Sequence, residues 1–97
     1  MSELHEFRPD WTIAPASMVR FYLEENNLSV RVALAGSVPR HRRDEAAAMV
    51  GQVLAKEPLT GEHARLLEGA TGIPAQFWLT FEHNYRAGLA AGLTDAT

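Results

Sequence analysis

The side chains best suited to chemistry in this sequence are a run of bases. Arg40, His41, Arg42 and Arg43 stand consecutively, Arg31 and Lys56 flank them, and Gln52 lies between. A guanidinium is always charged and presents its donors as a planar fork, which fits phosphate oxygens and the O6/N7 edge of guanine. A glutamine amide makes the matching two-point contact with adenine. From Leu28 to Lys56 the chain carries five Lys and Arg against two acids, a local charge of +3. The whole chain carries −3, so everything outside that stretch sums to −6. A positive patch on a negative body is expected where one face meets a phosphate backbone. The competing reading of the same run is a solvated loop.

Catalysis is not expected. His5, His41, His63 and His83 occur singly, never at metal-binding helical spacing, and each reads as a surface residue. Glu62-His63 and Glu82-His83 are adjacent pairs, which point to different helix faces. There is no phosphate-cradling glycine loop and no serine in a nucleophile setting. No cofactor and no metal are expected. The absence of cysteine excludes disulfides and thiolate ligands and is compatible with a reducing compartment. No apolar run approaches the ~20 residues of a membrane span, and no signal peptide is recognised. The expectation is a cytoplasmic chain.

Proline and glycine then divide the 97 residues into helices. Residues 1–14 read as an extended arm, because Pro9 and Pro15 restrict the backbone before them. Phe7 and Trp11 are expected to pack on the body; the alternative is an arm that exchanges between subunits. A first helix over 16–26 turns Val19, Tyr22 and Leu23 inward, with Ser17 as its cap. A second opens at Leu28-Ser29 and reaches about Gly36, with Val32, Leu34 and Ala35 as buried positions. Gly36–Pro39 breaks it. A third covers 44–55, with Asp44 and Glu45 in the first turn, where the helix dipole favours them. Its apolar face is Met49, Val50, Val53 and Leu54. Thr60 opens a fourth helix with Ala64, Leu67 and Ala70 inward, and Gly72 ends it. Pro74 opens the fifth, where Phe77, Trp78, Phe81, Tyr85 and Leu89 recur at helical spacing. Phe77, Trp78, Phe81 and Tyr85 are the expected source of a dimer interface. For Phe77 and Trp78 the competing reading is core packing, whereas Tyr85, beside Asn84, suits a subunit edge. Residues 92–97 are expected to fray into a tail, and no strand pattern is visible.

Several of these residues carry a resemblance. Pro58-Leu59-Thr60, the Gly72-Ile73-Pro74 corner and Phe77-Trp78-Leu79 through Asn84-Tyr85 resemble the C-terminal half of the HigA-like antitoxins. These are small regulators with an XRE-type helix-turn-helix. Phe7-Arg8-Pro9-Asp10-Trp11, Pro15, Leu23-Glu24-Glu25 and Leu28-Ser29 are similar to that family's opening. The resemblance covers roughly residues 7–30 and 54–90 and departs over 30–53. It implies an all-α, five-helix lambda-repressor-like domain over 15–91, behind the N-terminal arm. It also implies that Ala46, Ala47, Ala48 and Met49 stand where relatives read bases, although alanines touch at most thymine methyls. The chain is longer than typical relatives at Gly36–Arg43, in or beside the turn.

The resulting expectation is an operator-binding, autorepressing homodimer, with a toxin as a further protein partner. Arg31, Arg40, His41, Arg42, Arg43, Gln52 and Lys56 would contact double-stranded DNA. A temperate-phage regulator fits the same residues. The alternative is a protein-interaction module that kept the scaffold and lost base reading.

Overall fold

Prolines and capping side chains decide where each helix of the chain begins. A computed structural model describes residues 10–96; Phe7 lies outside them. The helices are α1 (Pro15–Glu25), α2 (Val30–Leu34), α3 (Arg43–Leu54), α4 (Gly61–Thr71) and α5 (Ala75–Ala90). A 3-10 turn, Arg40–Arg42, leads into α3. Pro15 occupies the first turn of α1, where a missing N–H costs nothing, and Ser17 makes no cap. Asn27 adopts φ 54° just beyond α1, and its short polar side chain tolerates that left-handed turn. Ser29 caps α2 by accepting the Val32 N–H at 3.3 Å. Gly72 takes φ 80° past α4, a left-handed conformation that glycine adopts without the strain a Cβ brings.

The five helices contribute to one core cluster that contains Trp78, whose side chain is 0% exposed. Val19 of α1, Leu34 of α2, Val50 and Val53 of α3, and Leu67 of α4 belong to the same cluster. The indole N–H of Trp78 has no hydrogen-bond partner among the described residues. α2 is shorter than its sequence pattern suggests, and of its apolar residues only Leu34 reaches the core fully. Val32, expected inside, is 58% exposed, and Ala35 is exposed as well. A helix of five residues is little more than one turn, so only one side of it faces inward, and Ala35 already lies beyond its end.

The aromatic stripe of α5 resolves into two faces. Trp78, Glu82 and Tyr85 are buried, three and four residues apart, while Phe77 and Phe81 lie on the flank. Trp78 therefore follows the core reading rather than the interface one, and Tyr85, expected at a subunit edge, is enclosed as well. One residue along a helix is a rotation of about 100°, so Phe77 and Trp78 cannot share a face. Phe77 is exposed and Phe81 half-buried, their ring centroids 5.8 Å apart.

Tyr85 packs against Ala14 and Ala16, and the C-terminal segment, expected to fray, is ordered against it and bonds its hydroxyl. β1 (Trp11–Thr12) and β2 (Thr94–Asp95) pair in parallel, Trp11 opposite Thr94. The Thr94 N–H donates to the Asp10 carbonyl and the Ala96 N–H to that of Thr12, both at 2.9 Å. Gly88 permits the approach, because a Cβ there would stand 2.9 Å from the Thr12 side chain. Asp95 then faces inward, accepting from the Tyr85 hydroxyl at 2.6 Å and the Lys56 ammonium at 3.0 Å. Glu82 accepts from the Leu59 N–H and the Arg86 guanidinium, which in turn donates to the Lys56 carbonyl at 2.7 Å. These contacts tie the 55–60 connection and the C-terminal strand to α5. Trp11 gains little from the pairing and stays 47% exposed.

Burial, followed by the hydrogen bond to Asp95, raises the Tyr85 phenol from 10.0 to about 12. Between those values the unfolded chain has released this proton while the folded chain retains it. Stability from this group is thus complete below pH 10 and lost as pH rises through the folded value. Tyr85→Phe should cost about 1–2 kcal/mol near neutral pH and flatten this alkaline loss. Denaturant unfolding of both proteins across that range measures the difference; parallel pH profiles would contradict it.

Candidate nucleic-acid interface

Arg31 leaves the exposed side of α2, and Arg40 and Arg43 bracket the 3-10 turn. The three line one shallow concavity of about 490 Å³ with Val32, Ala35 and Asp44. The lengthened bend that brings them together is internally bonded. The Ser37 and Val38 N–H groups both donate to the Leu34 carbonyl. Arg43 donates from Nε to the Val38 carbonyl at 3.0 Å and from Nη2 to that of Ala35 at 3.1 Å. Arg43 is therefore a brace that holds the bend against α3.

The remaining bases differ in their freedom. Arg31 pairs with Asp44, across α2 and α3, through side chains that are 61% and 87% exposed. Arg42 points to the other side of the bend, 3.7 Å from Glu45, in a groove it shares with Glu62 and Arg65. Arg40 and His41 are exposed and make no ion pair or side-chain hydrogen bond among the described residues. Lys56 lies away from this face, adopts φ 66°, and is engaged with Asp95. The seven sequence candidates are thus not one surface. Arg31, Arg40 and Arg43 come together; His41 is exposed beside Arg40 without lining the concavity, and Arg42, Gln52 and Lys56 do not join them.

Gln52 is held by a residue that the sequence misplaced. His63 is buried, although it was expected on the surface. Its Nδ1 accepts the Thr60 backbone N–H at 2.9 Å, and Thr60 Oγ1 accepts the His63 N–H at 3.4 Å, a reciprocal capping box. With Nδ1 accepting, the ring proton sits on Nε2 and is donated to Gln52 Oε1 at 2.8 Å. An imidazole does here what a glutamate or glutamine usually does. The Thr60-x-x-His63 spacing was the available signal.

The start of α3 is acidic outside and small inside. Ala46 is buried, Ala47 and Met49 are half-buried, and Asp44, Glu45 and Ala48 face solvent. Its place in the first turn marks Asp44 only as a partner for the helix dipole; the bridge to Arg31 spans too many residues for spacing to reveal.

Among the described residues no group of His, Asp or Glu is placed to hold a metal ion. No helix among them is long and apolar enough to cross a membrane. Compared with family models, curated proteins and solved structures, the chain gives no significant match.

His63→Ala should destabilise the fold by about 1–2 kcal/mol, the usual scale for losing a helix N-cap arrangement, and Gln52→Ala by less. Chemical denaturation of the two variants checks the order. Equal losses would show that the side-chain bridge to α3 outweighs the cap.

Proposed function

We propose that this chain is a DNA-binding regulator of the HigA-like antitoxin type, on a lambda-repressor-like helix-turn-helix with α2 and α3 as the pair that meets the duplex. The supporting observation is the convergence of Arg31 and Arg40 on one exposed surface spanning α2, the bend and the start of α3. An exposed ion pair is worth about 0–1 kcal/mol and weakens with salt. A phosphate can therefore take Arg31 from Asp44. His41 adds a donor beside Arg40, and Arg43 keeps the bend in the shape that aims both.

Affinity in this reading comes mostly from phosphates. Ala48 offers a methyl to the major groove and no hydrogen bond, so base discrimination through α3 is small. Few cations per copy make a single copy weak, and two copies spaced roughly one helical turn apart restore affinity and register. Phe77 and Phe81 retain apolar surface for that association. Trp11 and Ile13 extend it, since they line a groove with Phe81 and Asn84. The regulator would repress its own promoter and neutralise a toxin by direct contact.

A second reading is a protein-interaction module on the same scaffold. The Arg31–Asp44 and Arg42–Glu45 pairs, together with the alanines of α3, favour it. A gel shift on the flanking intergenic DNA, titrated with salt, separates the two. DNA binding predicts a shifted band that weakens steeply with salt and is lowered about tenfold or more by Arg31→Ala with Arg40→Ala. No band at low salt supports the interaction module. Sedimentation should show two copies, and Phe81→Asp should yield one copy that is still folded.

A further inference from the structure

Asp44 stands where a duplex-binding surface would be expected to carry no acid, and it is bonded to one of the two cations most accessible to a duplex. Its carboxylate is 87% exposed, so burial does not hold it there. It sits in the first turn of α3, and Arg31 reaches it from α2, so the pair closes directly over the helix-turn-helix face. Resting on the DNA-binding reading above, we propose that Asp44 is an intramolecular competitor for Arg31, a built-in stand-in for phosphate that restrains binding to unspecific DNA.

The physical consequences are specific. In the free protein Arg31 is neutralised by Asp44. On a duplex the guanidinium exchanges that carboxylate for a phosphate oxygen, and Asp44 is left uncompensated beside a polyanion. It must then repel the backbone or gather a cation from solution. Cation uptake partly cancels the counterion release that normally drives association, so the salt dependence becomes shallower than the number of phosphate contacts implies. Glu45 does not play this part, because its partner Arg42 faces the groove on the other side of the bend. Weakened unspecific affinity leaves discrimination to the sites where both copies dock in register, a useful property when α3 reads bases poorly.

The experiment is a double-mutant cycle in the full chain on a mixed-sequence duplex, followed by fluorescence anisotropy over a salt series. The proteins are wild type, Asp44→Asn, Arg31→Ala and the double variant, with thermal melts to show that each is folded. Asp44→Asn should bind about three- to tenfold tighter, from an exposed-pair interaction released in each of two copies. Its salt slope should steepen by up to about 1 per copy. In the Arg31→Ala background most of that gain should vanish. A gain of the same size with or without Arg31 would overturn the proposal, since Asp44 would then act only as a general repulsive charge. Unchanged affinity in Asp44→Asn, with wild type binding measurably, would also overturn it while leaving DNA binding intact. If neither wild type nor Asp44→Asn binds at low salt, the DNA-binding reading itself fails.

Discussion

The fold depends on one enclosed indole. Trp78, the largest fully buried side chain, lies in a cluster to which all five helices contribute, and the short helices cannot stand without that cluster. α2 is the extreme case. Five residues cannot form a stable helix in water, because nucleation is unfavourable and so few bonds follow it. Its position is set by Leu34 in the Trp78 cluster, by the Ser29 cap at one end and by the Arg43 brace at the other. The surface that carries Arg31 and Arg40 is therefore a consequence of the core, even though none of its polar atoms lies inside.

A second layer of order comes from polar contacts around the C-terminal half. Asp95 gathers Tyr85 and Lys56, and Glu82 gathers Leu59 and Arg86. Lys56 takes part through both its ammonium and its carbonyl. One result is that a cation counted toward the basic stretch is consumed in holding the fold. Another is that the 55–60 connection, which sets the angle between α3 and α4, is bonded on both sides: His63 with Gln52 from the helices, Arg86 with Lys56 from α5. Positive charge in this chain is thus more structural than its sequence distribution implies, and the exposed remainder is concentrated at the bend.

The helices were legible because their punctuation is local. Pro15, Pro58, Gly72 and Pro74 impose backbone geometry on their neighbours whatever the rest of the chain does. The interior of α5 was only partly legible, since spacing of three and four residues from Phe77 and from Trp78 describes two overlapping stripes, and packing chooses between them. The β1–β2 pairing left no alternating pattern because each strand has two residues; its clue was Gly88, which has meaning only once Thr12 lies against it. The candidate site was legible as a charge imbalance but not as a surface. Arg31 and Arg43 carry the same charge on paper, yet one is an exposed cation paired with Asp44 and the other bonds two carbonyls of the bend. That difference depends on where α2 ends, and α2 ends at Leu34, earlier than its residues suggested.

The central claim is that α2, the bend and the first turn of α3 form the face that meets a duplex. Amide chemical shifts of the labelled protein, followed as duplex DNA is added at low salt, test it most directly. The account predicts perturbations concentrated at Arg31, Val32, Arg40, His41 and Asp44, with the Asp95–Tyr85 region unmoved. Perturbations centred on Trp11 and Phe81, or an unchanged spectrum at saturating DNA, would contradict it.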